Sequence, residues 1–132
     1  MSQIPAKYLD LLTDKSELAH LSTIMKDGRP QVTPIWFNYE DDLILLNSAK
    51  GRVKDINMRA RPKVALSIVD AENAFRYLQI MGTVTEITEE GADDHIDKLA
   101  QKYLQKPRYP WRQPGEVRVI YKIKPDRVQA SG

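Results

Sequence analysis

Hydrophobic and polar residues alternate in short runs along this chain, and Gly, Pro and Asp punctuate the runs. Val64, Leu66 and Ile68 interleave with Ala65, Ser67 and Val69, which predicts a strand over Lys63 to Val69. Leu18 to Met25 mixes small and branched residues and reads as a strand. Lys26-Asp27-Gly28-Arg29-Pro30 then supplies a hairpin turn with Asp-Gly at its centre. Gln31 to Tyr39 is the expected return strand, with Pro34 marking an edge or a bulge. Glu40-Asp41-Asp42 turns the chain into a strand from Leu43 to Asn47. Phe75 to Ile87 reads as a long strand whose Gly82 marks a bulge or a close approach. Val117, Val119, Tyr121 and Ile123 point inward from the last strand, Val117 to Ile123, with Arg118, Ile120, Lys122 and Lys124 opposite.

Three segments carry helical spacing instead. Ile4, Tyr8, Leu11 and Leu12 share one face of a short N-terminal helix. Val53, Ile56 and Met58 predict a second short helix, closed by Arg61-Pro62. Thr88 caps a third, running to about Leu104. Its buried stripe is Ile96, Leu99, Ala100, Tyr103 and Leu104, while Asp93, Asp94, Asp97, Gln101 and Lys102 face water. Lys106 to Gly115 is a proline-rich aromatic loop. Six strands with one late helix predict a small antiparallel barrel, with disorder only at the termini.

With 132 residues and no break in composition, residues 1–132 are read as a single domain. A chain of this length buries enough surface to fold without a covalent staple, consistent with the absence of cysteine. That absence excludes disulfides, thiol nucleophiles and cysteine-ligated metals. No apolar run approaches the ~18 residues of a membrane span, and Met1 to Thr13 lacks a signal peptide's apolar core, so no membrane association and a cytoplasmic location are expected. The net charge of +2 is too small to argue for nucleic acid.

The charge is unevenly spread, and one segment carries candidate chemistry. The apolar strand Leu43 to Leu46 runs into Asn47-Ser48-Ala49-Lys50-Gly51-Arg52-Val53-Lys54-Asp55-Ile56-Asn57. With Arg59, Arg61 and Lys63 beyond, six cations face the single anion Asp55. A strand end that brings hydroxyl, backbone N–H and cationic groups together suits phosphate or another compact anion. Other chemistry is thin. Ser48 has no nearby histidine or acid in sequence, which argues against a nucleophilic serine. His20 sits in a strand as a structural residue. His95, with Asp94 and Asp97, does not share one helical face, so no metal site is expected.

Four pieces, in order along nearly the whole chain, resemble the flavin-binding split β-barrel superfamily that includes pyridoxamine-phosphate oxidases. More narrowly they are similar to its branch of deazaflavin-dependent (coenzyme F420-dependent) oxidoreductases. The pieces are His20-Leu21-Ser22-Thr23 with Asp27 to Phe37; Ser48 to Asn57; Phe75-Arg76-Tyr77-Leu78-Gln79-Ile80-Met81-Gly82; and Tyr103-Leu104 through Arg108-Tyr109-Pro110-Trp111 with Pro114-Gly115-Glu116. The resemblance implies a mainly β fold: a six-stranded antiparallel split barrel with peripheral helices, paired as a homodimer with cofactor sites in the groove between protomers. It implies that Ser48, Lys50, Arg52 and Lys54 hold the cofactor phosphate, with Asn57 securing the loop or adding a hydrogen bond. Thr33, Pro34, Ile35 and Trp36 would line the tricyclic ring. Tyr77 and the Trp111 loop of the second protomer would close the other side. No catalytic side chain is implied, because the cofactor carries the hard step.

The implied activity is hydride transfer from reduced coenzyme F420 to a small conjugated organic substrate. Arg59, Arg61 and Lys63 are either a solvated face or an attraction for the acidic oligoglutamate tail of the deazaflavin, which FMN lacks. FMN in the same groove, in an oxidase, reductase or flavin carrier, remains the alternative. A non-enzymatic module gripping nucleic acid or an acidic protein is the rival of another class. The near-neutral charge and the lack of a solvent-facing aromatic strand platform count against it.

Overall fold

Asp27 and Gly28 turn the chain between β1 (Ala19–Ile24) and β2 (Pro30–Ile35), with Gly28 in the left-handed region at φ 90°. The Gly28 N–H donates to the Met25 carbonyl at 2.9 Å, and the Asp27 carboxylate accepts from the Arg29 N–H at 3.0 Å. After β2 the chain breaks at Trp36 and resumes as β3 (Phe37–Glu40), β4 (Leu43–Ala49) and α2 (Val53–Ala60); a one-turn helix α1 (Asp10–Thr13) precedes β1. β5 (Lys63–Asp70), β6 (Asn73–Thr88), α3 (Ala92–Leu104) and β7 (Arg118–Ser131) complete the order. The protein is described by a computed structural model covering residues 3–132.

Among these residues the strands form one antiparallel sheet of seven, in the order β2-β1-β5-β6-β7-β4-β3. Its outermost strands, β2 and β3, are consecutive in sequence and joined through Trp36 alone, so the sheet must curl on itself into a half-barrel. The expected strand count of six is therefore corrected to seven. Gln31 to Tyr39 is not one strand, because the chain leaves β1 and starts pairing with β4 at Trp36.

The inside of the curl holds the core. Leu21, Leu66, Ile80, Phe37, Leu46 and Tyr121 are almost fully buried there, and α1 closes one end with Leu11 and Leu12. Gly82 lies at a register shift opposite Pro125; a Cβ on it would stand 2.6 Å from Ile123 Cγ2 and 2.9 Å from the Lys124 carbonyl oxygen. Proline lacks the N–H a ladder needs, so it sits at this irregularity. Beyond it β7 continues to Ser131, paired with β6. The expected disorder at the C-terminal end is thus corrected, whereas the start of the chain, Met1 and Ser2, lies outside the described residues. α3 begins at Ala92 behind Gly91, not at Thr88, whose hydroxyl instead accepts from the Glu90 N–H at 3.1 Å. Its first residue, Ala92, packs with Leu45 of β4 and Ile120 of β7. Lys102, expected to face water, is partly buried: its ammonium donates to the Phe37 carbonyl at 2.7 Å, and burial pushes it down to about 8.

Candidate functional site

The end of β4, the loop after it and the first turn of α2 form one wall of a cavity of about 350 Å³. Asn47 and Ser48 come from β4, Arg52 and Lys54 from the loop and helix, and Arg118 from the start of β7. Pairing of Ala49 with Arg118 and Ser48 with Val119 brings these strand ends together. Opposite stand Pro34, Ile35 and Trp36, at the break between β2 and β3.

Three observations define the cavity's chemistry. First, Ser48 is 2% exposed and its Oγ makes no hydrogen bond to any described residue. Buried hydroxyls nearly always find a partner, so an orphan lining a cavity points to a ligand. Second, neither the Arg52 nor the Lys54 side chain is ion-paired or hydrogen-bonded among the described residues. Burial, with Arg52 and Arg118 nearby, pushes the Lys54 ammonium below its ordinary value. Third, Arg118 is 6% exposed and fixed in place: its Nε donates to Asn47 Oδ1 at 2.8 Å and its Nη1 to Glu116 Oε1 at 2.7 Å. Three cations against one carboxylate leave a surplus of positive charge in a cavity lined by the unpartnered Ser48 hydroxyl. An anion is the complement of that arrangement.

Aromatic rings form the other half of the cavity. Trp36 stacks on Tyr103 with centroids 5.1 Å apart and planes 4° from parallel. Tyr109 meets Trp36 edge-on at 6.0 Å, and Trp111 lies 6.2 Å from Trp36. The loop that carries them is tied to α3, where Asp97 accepts from the Tyr109 N–H and from Arg112, each at 2.8 Å.

Not every residue expected here lines this cavity. Pro34, Ile35, Trp36, Ser48, Arg52, Lys54 and Trp111 do. Lys50 turns away to Glu89, 3.0 Å distant, and Asn57 is buried behind the loop, donating to Thr23 Oγ1 at 3.1 Å. Thr33 lies one residue outside, half-buried opposite Leu21. Tyr77 is on β6, between Val69 and Ser131, away from the cavity. Trp111 stands beside Trp36 of its own chain. Arg59 and Arg61 have partners within the fold, Asp55 for one and the Ile24 carbonyl for the other, and Lys63 bonds Thr83. Asn47, Tyr109 and Arg118 also line the cavity but were not among the expected site residues, since only strand register joins Arg118 to the β4 end. Among the described residues no cluster of His, Asp and Glu could hold a metal ion.

A family model described as pyridoxamine 5′-phosphate oxidase matches residues 4–132. The chain belongs to that family. Among solved structures, an F420 reductase superposes with a TM-score of 0.85 at 30% identity, covering 96% of this chain and 98% of that one. A conserved hypothetical protein from Mycobacterium tuberculosis gives 0.74 at 22%, covering 97% and 84%. A putative pyridoxamine 5′-phosphate oxidase from Listeria innocua gives 0.71 at 20%, covering 94% of each. The last two identities speak to the fold alone: a curled antiparallel sheet with few helices is the architecture shared across the family members. A general oxidoreductase role of the flavin or deazaflavin type fits this membership. Among the described residues no helix is long and apolar enough to cross a membrane.

Proposed function

We propose that this protein is an oxidoreductase that uses reduced coenzyme F420 to transfer hydride to a small conjugated organic acceptor. Two copies of the chain would pair, with the cofactor at the seam between them. The observation that carries the reading is the unpartnered, buried Ser48 hydroxyl in one cavity with Arg52 and Lys54, neither of which is ion-paired or hydrogen-bonded among the described residues. These groups fit a phosphate by chemistry as well as by position. The choice of deazaflavin leans on the F420 reductase that is 30% identical over nearly the full length of both chains.

When bound, the reduced deazaflavin supplies the hydride. The work of this chain is to bind, orient and exclude water. Ser48 Oγ would donate to a phosphate oxygen, and Arg52 and Lys54 would supply charge. Pro34, Ile35 and Trp36 would present an apolar wall to a tricyclic ring. Trp36 is held for that task by Tyr103 on one face and by the rings of the loop. The cavity is at the small end for a cofactor site, which is consistent with a groove completed by a second copy. Lys50, Asn57, Thr33 and Tyr77 would then serve from the loop's rear or from the partner side.

FMN in the same cradle is the second reading, favoured by membership in a family described as pyridoxamine 5′-phosphate oxidase. Titration of the purified protein with coenzyme F420 and with FMN separates the two. Lys54→Ala is expected to weaken the bound cofactor roughly thirtyfold, the equivalent of one charge-assisted contact at ~2 kcal/mol. Equal binding by variant and wild type removes the phosphate assignment; binding of neither cofactor by the wild type removes the function.

A further inference from the structure

α2 buries Met58 together with two polar side chains. Val53 and Ile56 are 45% and 56% exposed, while Asp55 and Asn57 are 2% and 3% exposed. Burying a carboxylate is costly unless it is fully hydrogen-bonded. Asp55 is: Oδ1 accepts from the Tyr121 hydroxyl at 2.6 Å and from Arg59 Nε at 3.0 Å, and Oδ2 accepts from the Gly51 N–H at 2.9 Å. Burial opposes its charge, but the Tyr121 hydroxyl, the Gly51 N–H and Arg59 outweigh it and hold the carboxyl below its ordinary value.

Each partner has a distinct place in the fold. Gly51, at φ 96°, is the apex of the loop that leads from Ser48 to Arg52 and Lys54. Tyr121 is a core residue of β7, itself fully buried. Arg59 lies one turn along α2 and neutralises the carboxylate, so Asp55 does not cancel the charge offered by Arg52 and Lys54. A helix that only needed a start would use an exposed cap, and here the cap residue Arg52 makes no side-chain cap bond at all.

We propose that Asp55 and Tyr121 are positioning residues for the anion cradle: Tyr121 fixes the buried carboxylate, the carboxylate fixes Gly51, and the loop bearing Arg52 and Lys54 keeps one form. This inference rests on the reading that residues 48 to 54 hold an anion. Ordering the loop before binding removes a cost otherwise met at binding, so loosening it lowers affinity without touching any group in contact with the ligand.

The test uses the full chain and inorganic phosphate as probe, with dissociation constants from calorimetry and thermal midpoints measured in parallel. Tyr121→Phe keeps the ring and removes the hydroxyl, and is expected to weaken phosphate at least fivefold. Asp55→Asn is expected to weaken it at least tenfold; should that variant not fold, Tyr121→Phe decides. Asp70→Asn is the control. That carboxylate is 5% exposed and bonds Arg76 and Lys15, in a cluster that shares no residue with the cavity. Its variant should lose thermal stability yet bind phosphate within twofold of wild type. Wild-type affinity in Tyr121→Phe and Asp55→Asn overturns the inference, as does an equal loss in Asp70→Asn. A wild-type protein that binds neither phosphate, FMN nor coenzyme F420 overturns the anion reading together with it.

Discussion

Acidifying the protein should weaken it through His95 before its carboxylates are protonated. His95 is 7% exposed, wedged between α3 and β4. Its Nε2–H donates to Asn38 Oδ1 at 2.7 Å, and its Nδ1 accepts from Asn47 Nδ2 at 3.1 Å. A proton on Nδ1 would face the Asn47 amide N–H and lose that bond. Burial, then the charges of Lys98 and Arg118, push the imidazole from 6.5 down to about 4. The unfolded chain takes the proton near 6.5 and the folded chain only near 4, so between those values the unfolded state holds more protons. Stability is therefore complete above this window and falls as pH falls through it. From about pH 8 to about pH 5 the loss integrates to ~2 kcal/mol. The carboxylates Asp10, Asp55, Asp70, Asp97 and Glu116 are all held below their ordinary values, and their contribution fades lower still. Urea unfolding at the two pH values, followed by tryptophan fluorescence, measures the loss. His95→Gln removes the titrating group and should flatten the dependence, whatever its own stability. A wild-type protein whose loss between the two pH values matches that of His95→Gln would refute the reasoning.

Two further outcomes are expected. Gly82→Ala should cost about 2 kcal/mol, because its Cβ would press on the Lys124 backbone as well as on the Ile123 side chain; a thermal midpoint equal to wild type would contradict that packing. Sedimentation at tens of micromolar should find a two-fold pair, since Leu18, Trp111 and Val117 near the cavity are each at least 40% exposed. A monomer under those conditions would remove the seam from the proposed site.

Period-two patterning made the strands legible wherever one face is buried. In β5, Val64, Leu66 and Ile68 lie inside as expected. The hairpin at Asp27-Gly28 and the irregularity at Gly82 were equally readable, because only particular backbone angles or close contacts call for those residues there. The break at Trp36 was not. Pro34 marked an edge, which β2 is, but nothing local fixes the break at Trp36, where closure of the curled sheet makes the chain change partners. α2 was placed by the spacing of Val53, Ile56 and Met58, but of these only Met58 is buried. Its buried Asp55 and Asn57 are the cue in hindsight: a lone acid in a cationic run has a reason to be there. Arg118 was assigned to the outward side of the last strand, and that is correct. That side is covered by α3 and the aromatic loop, which no alternation pattern could indicate. Of the residues lining the cavity, Ser48, Arg52 and Lys54 were named through the family resemblance; the contacts of Arg118 with Asn47 and Glu116 were not legible.

Lys54 separates a binding residue from a structural one by the sign of its two effects. Its ammonium is partly buried, has no counter-ion among the described residues, and is repelled by Arg52 and Arg118. Such a charge opposes folding in the free protein, and in the proposed site a bound anion would compensate it. Lys54→Ala relieves both the desolvation and the repulsion, so the ligand-free variant should be at least as stable as wild type while its affinity for cofactor or phosphate falls. Added ligand should then reverse the order, raising the wild-type midpoint above that of the variant, because only the tighter binder gains stability by mass action. A variant that loses stability without ligand, and gains as much as wild type with it, would mark Lys54 as a packing residue whose charge faces solvent.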